Sequence, residues 1–160
     1  MLTQQEADEF MQAEKVVPGH EPMAWTQPSG RKGLAMWRAG VEIDGARVGD
    51  ILCLSNPAVE RSWKFLLTHH GEQVYRLEAQ NRRCRHPNPH NAPAEFPRRL
   101  TEQTHEHVFV EGLDCKCARP LPELATSDHA AIFQWFCTRT HVRVEPQYAH
   151  HAIPYQMPLL

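Results

Sequence analysis

The chain has 160 residues, with 17 lysines and arginines against 19 aspartates and glutamates, so its formal net charge is only −2. Its 41% of hydrophobic residues can form an ordinary core, which excludes wholesale disorder, and its length fits a single domain. The five cysteines are an odd number, no apolar run approaches the roughly 18 residues of a membrane span, and the N-terminus is acidic, so we expect a cytoplasmic protein.

The N-terminal segment predicts a helix. Thr3 and Glu6 have the spacing of a capping box, in which each side chain accepts a hydrogen bond from the backbone of the other. The helix should end before Pro18 and Gly19, and the proline- and glycine-rich residues 18–33 should form a loop.

From Leu34 the hydrophobic period becomes two, which indicates half-buried strands. Asp44 and Gly45 favour a tight hairpin turn between the first strand and the apolar run 51–54. Two further alternating segments, 61–68 and 74–79, are separated by a short turn. Connections this short exclude parallel crossovers, so these segments predict an antiparallel meander of about four strands.

The second half of the chain is less regular. Residues 80–103 lack a sustained period, Thr104–Val110 reads as another strand, and residues 111–124 are again predicted to be irregular. Asp128 is a plausible N-cap for a second helix, and Val142–Val144 suggests a short final strand. We therefore expect an α+β fold: a single antiparallel β-meander sheet of about four to six strands, with an N-terminal and a C-terminal helix packed on it. The domain should span residues 1–145, followed by an extended tail rich in Pro, His and Tyr at 146–160.

The irregular segment is strongly basic. Between residues 80 and 100 it has five arginines and one glutamate, although the whole chain is nearly neutral. Guanidinium groups match the geometry of phosphate, so this loop could bind an anion such as nucleic acid. The alternative is a solvated loop whose charges only maintain solubility.

The predicted strand 104–110 contains a pair of histidines, His105 and His107. Residues two apart on a strand share a face, so both imidazoles should project in one direction. Neighbouring imidazoles can divide the work of general base and general acid, and His86 in the preceding loop could fold over the same face. A pair without a function and a pair that binds metal both remain as alternatives.

A structural zinc site is the third possibility that the residues raise. Cys84, Cys115 and Cys117 lie close in sequence to several histidines. Cys115 and Cys117 are separated by one residue, whereas structural zinc sites favour pairs with two to four intervening residues. We therefore predict no metal and no cofactor, while the sequence leaves open whether Cys84, Cys115 and Cys117 bind zinc with nearby histidines.

Several short motifs in a fixed order resemble a family of small uncharacterised bacterial proteins that carry a domain of unknown function. These proteins have an arginine-containing strand, a His-x-Asn element and a His-x-His strand, and the resemblance spans about 34–141. The matching segments are Tyr75–Glu78, His86–Asn88, Thr104–Gly112, Pro120–Pro122 and Phe133–Cys137. The order is also similar to that of small ribonuclease-like toxins of bacterial toxin–antitoxin pairs, which implies activity on RNA.

Taken together, these features favour a metal-independent ribonuclease that resembles such a toxin and needs no cofactor. The predicted catalytic residues are His105, His107, Arg76 and His86, and the predicted substrate-binding residues are Arg82, Arg83, Arg85 and Asn88. The expected partners are RNA and a cognate antitoxin or other protein, with no membrane. Two alternatives stay open: a noncatalytic interaction or regulatory module of bacterial or phage origin, and a metal-dependent hydrolase or zinc-stabilised module.

Overall fold

The computed structural model of the protein describes residues 1–81 and 85–150. These residues form two α-helices, one short 3-10 helix and ten strands. In chain order the elements are α1 (Gln4–Gln12), β1 (Lys15–Val17), β2 (Ala35–Ile43), β3 (Ala46–Ser55), β4 (Ser62–His69), β5 (Glu72–Gln80), β6 (His86–Pro87), β7 (Arg99–Leu100), β8 (Thr104–Val110), β9 (Asp114–Pro120), the 3-10 helix (Pro122–Leu124), α2 (His129–Arg139) and β10 (Val142–Val144).

Eight of these strands form one sheet in the order β10-β1-β2-β3-β4-β5-β8-β9, while β6 and β7 pair separately. The α+β class is confirmed. The prediction of a purely antiparallel meander of four to six strands is wrong, because the main sheet has eight strands and is not all antiparallel. The sheet is mixed, because β1 pairs in parallel with β10 near the end of the domain. Strand β9 pairs with β8 and forms one edge of the sheet, although we expected this segment to be irregular.

The starts of both helices follow the predicted caps. The Thr3 hydroxyl accepts a hydrogen bond from the Glu6 amide at 3.2 Å, and the Glu6 carboxylate accepts one from the Thr3 amide at 2.8 Å. At α2, the Asp128 carboxylate accepts a hydrogen bond from the Ala131 amide at 2.8 Å. These contacts satisfy donors that a helix N-terminus otherwise leaves free.

Helix α2 packs on one face of the sheet and forms the core with it. The Phe136 ring lies 5.7 Å from the rings of both Phe65 and Tyr75, and Phe65 is fully buried. Because side chains alternate along a strand, the residues adjacent to Tyr75 and Leu77 point to the opposite face. The sheet therefore has one apolar face under α2 and a second face on which polar residues of β5 and β8 meet.

A hairpin, residues 85–100 with β6 and β7 at its base, packs against the second face. Asn88 anchors this 85–100 hairpin, since its side-chain amide bonds the carbonyl oxygens of Pro97 (2.6 Å) and Ala118 (2.7 Å). The Asn88 side-chain oxygen accepts a third bond from the Ala118 amide at 2.7 Å. Phe96 and Leu100 are buried beneath the hairpin. Residues 85–100 of the predicted loop therefore form a cover over this part of the sheet.

The first residues of the predicted tail contact the domain. The Trp25 indole donates a hydrogen bond to the Ala149 carbonyl at 2.7 Å, and the Met23 amide donates one to Gln147 at 3.0 Å. The rest of the tail, 151–160, lies outside the described residues. Within 1–81 and 85–150, no helix has the length and apolar character needed to cross a membrane.

Candidate functional site

Pairing of β5 with β8 creates the candidate site. Arg76 lies opposite His107, and Glu78 lies opposite His105, in an antiparallel register. All four residues share the face that points away from α2. The predicted strand Thr104–Val110 and the shared face of its two histidines are both confirmed.

His86 reaches the same place from the base of the 85–100 hairpin. Its ring centroid lies 4.9 Å from that of His107 and 6.2 Å from that of His105, and the latter two rings are 5.0 Å apart. The structure thus brings together the four residues predicted to be catalytic, which come from three successive elements of the chain. We call Arg76, Glu78, His86, His105 and His107 the histidine cluster.

The centre of the histidine cluster is buried. His105 and His107 are 0% exposed and Glu78 is 6% exposed. The side chains that reach solvent are His86, which is partly exposed, Arg76, which is 26% exposed, and the neighbouring Lys64, which is 46% exposed. The 85–100 hairpin accounts for this burial, and its packing on this face is a long-range contact that local periodicity does not reveal.

Glu78 is the only acidic side chain in the cluster and its contacts organise the charges. Its carboxylate lies 2.9 Å from the Arg76 Nε and 3.6 Å from the Lys64 Nζ. The Nε2 atoms of His105 and His107 are each 3.9 Å from a Glu78 oxygen, which is too long for a hydrogen bond. The Arg76 Nη2 lies 3.2 Å and 3.0 Å from the two ring nitrogens of His107.

The surroundings keep both central imidazoles neutral. Burial lowers the pKa of His105, with the Glu78 carboxylate acting in the opposite direction. Burial together with the Arg76 guanidinium lowers the pKa of His107 to about 2. A neutral imidazole can accept a proton or bind a metal ion, but it cannot act as a general acid.

Several ring nitrogens of the cluster lack hydrogen-bond partners. Both nitrogens of His105 and the Nδ1 of His86 are buried and form no hydrogen bond with the described residues. A buried polar atom without a partner costs about 1–3 kcal/mol, and native proteins usually satisfy such atoms. Three such atoms lie on two neighbouring rings, so the cluster has hydrogen-bonding capacity that the described side chains do not use.

The predicted substrate-binding residues fall into three groups. Asn88 uses its side-chain amide to bond backbone atoms, so it positions the hairpin and is not free to bind a substrate through that group. Arg85 is exposed at the start of the hairpin. Arg82 and Arg83, together with Cys84, lie outside the described residues.

The described cysteines do not join the histidines in one group of metal ligands. Cys115 donates a weak hydrogen bond to the His107 carbonyl at 3.4 Å, and Cys115 and Cys117 are buried free thiols. Within 1–81 and 85–150, the group whose ligand atoms lie close enough to hold a metal ion consists of Glu78, His105 and His107. Sequence reasoning missed Glu78, although its position two residues after Arg76 on a predicted strand was a usable signal.

The side chain of Glu106, between the two histidines, points to the opposite face of the sheet, which packs against α2. It is 2% exposed and accepts a hydrogen bond from the buried Tyr75 hydroxyl. Its carboxylate also forms ion pairs with Arg119 and, at 3.5 Å, with Arg139 of α2. This second network fixes β8 between β5, β9 and α2, and so holds the His105 and His107 backbone in register.

Comparison of the chain with models of known protein families, with curated protein sequences and with solved structures finds no match.

Proposed function

We propose that this protein cleaves phosphodiester bonds, with RNA as the expected substrate and the histidine cluster as its reaction centre. The observation that carries the proposal is the convergence of Arg76, His86, His105 and His107 from β5, the hairpin and β8. Three consecutive elements, β5, the hairpin and β8, deliver the residue types that phosphoryl transfer requires: a guanidinium group and several imidazoles.

The charges around the cluster suit an anionic substrate. Arg76 and Lys64 are its partly exposed cations, and Arg85, Arg98 and Arg99 are exposed on the hairpin that packs beside it. Guanidinium groups bind phosphate oxygens through two parallel hydrogen bonds. In this proposal Arg76 binds the phosphate that reacts, and the hairpin arginines bind neighbouring phosphates of the strand.

A metal-free reaction assigns a separate role to each imidazole. The ribose 2′-oxygen attacks phosphorus while a ring nitrogen of His105 takes its proton, and the bond from phosphorus to the 5′-oxygen breaks. His86 is partly exposed and protonates the leaving 5′-oxygen, which gives a 2′,3′-cyclic phosphate and a free 5′-hydroxyl. His107 is neutral and lies against Arg76, so it positions the guanidinium instead of acting as the acid.

Substrate access requires the 85–100 hairpin to move, because His105 has no exposed surface. Asn88 holds the hairpin to Ala118 at the edge strand β9, so this contact must break or the hairpin must pivot around it. Local openings of this kind are common for segments that cover active sites.

The test is cleavage of a fluorogenic single-stranded RNA by the purified protein. We expect turnover that the double change His105→Ala and His107→Ala abolishes and that Arg76→Met lowers about 100-fold, since Arg76 stabilises transition-state charge. His20→Ala, which changes an exposed histidine outside the cluster, is the matched control. Turnover by the double variant at the wild-type rate would show that the cluster is not the reaction centre.

Burial of the cluster specifically favours a second candidate, a noncatalytic protein that binds a macromolecular partner. His105 and His107 would then serve packing beneath the hairpin, and the exposed arginines 85, 98 and 99 would contact the partner. A cognate antitoxin or other cytoplasmic protein is the expected partner class. Capture of one stoichiometric partner by wild type but not by a variant with these three arginines neutralised, without any turnover of RNA, would favour this function.

A further inference from the structure

We propose that Glu78, His105 and His107 bind one divalent first-row transition-metal ion, of which zinc is the representative probe. This inference goes beyond the proposed cleavage of RNA, since metal binding can be measured without any substrate. The site lies on the second face of the sheet, beneath the 85–100 hairpin.

The first argument is geometric. One ligand atom from each of the three residues can be chosen so that all lie within 4.8 Å of one another. Ligands around a tetrahedral zinc ion, with bonds of about 2.1 Å, are separated by roughly 3.4 Å. The β5 and β8 backbones hold the three residues in adjacent register positions, so small side-chain rotations close the remaining gap.

The second argument comes from the unpaired nitrogens. His105 offers two buried nitrogens that lack hydrogen-bond partners in the described chain, and the same holds for the Nδ1 of His86. A metal ion would satisfy one His105 nitrogen with a strong bond, and a metal-bound water could bond another. The three buried side chains are all fully or almost fully enclosed, unlike the exposed acidic groups that often lie together without binding a metal.

The third argument is ligand chemistry. Two imidazoles and one carboxylate are a donor set that catalytic zinc sites use, with a fourth position left for water or substrate. The His86 ring, 4.9 Å from His107, lies beside this fourth position and either binds the ion itself or contacts the water on it.

The positive charges of Arg76 and Lys64 lie beside Glu78 and would repel a metal ion there, and this repulsion makes the inference testable. The Arg76 guanidinium forms an ion pair with Glu78 at 2.9 Å and lies against His107, so it occupies the space that the ion needs. Because Arg76 is 26% exposed, it can turn toward solvent, where it would meet an incoming phosphate. Removing its charge should therefore tighten metal binding, whereas removing a ligand should weaken it.

The experiment is a zinc titration of chelator-treated protein without an affinity tag, followed by calorimetry, and a parallel titration with cobalt(II) followed by visible absorption. We expect one ion per chain. Glu78→Gln and His105→Ala should each weaken binding at least tenfold, and Arg76→Met should strengthen it about tenfold. The exposed histidines provide matched controls, His20→Ala and His70→Ala, which should leave the affinity unchanged.

The inference is overturned if wild type binds less than about 0.2 ion per chain, because a folded site of ordinary affinity would be filled. It is also overturned if the control variants lose the ion while His105→Ala keeps it, which would indicate adventitious surface binding. The cobalt(II) titration of wild type tests the site even if a variant fails to fold, because it uses the unchanged protein. Metal binding without RNA cleavage would support this site and reject the proposed function, whereas RNA cleavage by a protein that binds no ion would support the function and reject this site.

Discussion

Replacing Asn88 with alanine should release the 85–100 hairpin from the sheet while the remainder of the fold persists. The Asn88 side chain forms three hydrogen bonds, two with the backbone of Ala118 and one with that of Pro97, at 2.6–2.7 Å. The two bonds to Ala118 join the hairpin to edge strand β9, the bond to Pro97 lies within the hairpin, and alanine retains none of the three. The change therefore tests whether the cover of the histidine cluster is held by this one side chain.

The size of the effect follows from those contacts. The two hydrogen bonds that cross to β9, at about 1 kcal/mol each, give roughly 2 kcal/mol. We therefore expect the closed hairpin to be destabilised by about 2 kcal/mol relative to the open state. That value corresponds to an increase of about thirtyfold in the population of the open state.

Native-state hydrogen exchange resolved by residue measures this opening directly. The amides of Asn88 and Leu100 should exchange about thirtyfold faster in Asn88→Ala than in wild type, while amides in β3 and β4 change little. Asn91→Ala, an exposed change in the same hairpin, is the control. An increase of less than threefold in the hairpin, or an equal increase throughout the sheet, would refute the reasoning.

Three further changes test other parts of the structure. Lys15→Met should lower the free energy of unfolding by about 1–3 kcal/mol in chemical denaturation. The buried Lys15 ammonium donates hydrogen bonds to carbonyls at the end of α1, including that of Ala13 at 2.6 Å, and methionine cannot. A variant as stable as wild type would contradict this capping role. Tyr75→Phe should cost about 1.5–3 kcal/mol in the same assay, since the buried hydroxyl donates to the charged Glu106 carboxylate, and a loss below 0.5 kcal/mol would exclude that bond. Hydrogen bonds from Thr3 hold the pKa of Glu6 below its usual value, so its stabilising effect is present above the unfolded-state pKa and is lost as pH falls. The melting-temperature difference between wild type and Glu6→Gln should therefore be larger at pH 7 than at pH 3, and a difference that grows on acidification would show the opposite linkage.

Local sequence patterns predicted those elements whose cause is local. The caps at Thr3 and Asp128 identify both helix starts, because a cap depends on residues within one turn. The strand at Thr104–Val110 also has its predicted bounds. In contrast, β1 has three residues, and its parallel partner β10 lies more than 120 residues later, so no local period indicates that the two pair.

Strand β9 was missed for a different reason. Its sequence, Asp114–Pro120, contains charged residues and a terminal proline, a composition that also occurs in loops. It forms a strand because β8 offers an unpaired edge, and because Asn88 bonds the backbone of Ala118 from the other side. Tertiary contacts, more than intrinsic preference, determine its conformation.

The same distinction applies to the site. The pairing of histidines on one strand face could be predicted from their spacing, and the convergence of Arg76 with them agrees with the expected arginine strand. The burial of both rings could not be predicted, because it depends on how the hairpin folds back. Glu78 illustrates the same limit, since its importance arises only when its cross-strand partner is known to be His105.

Anomalous X-ray diffraction from crystals grown with zinc tests most directly the central claim about this buried cluster, that Glu78, His105 and His107 bind a metal ion. We predict one strong peak beneath the hairpin, about 2.0–2.2 Å from a Glu78 oxygen and from one ring nitrogen each of His105 and His107. Arg76 should no longer contact Glu78. An empty cluster in crystals whose surface histidines hold zinc would contradict the metal site.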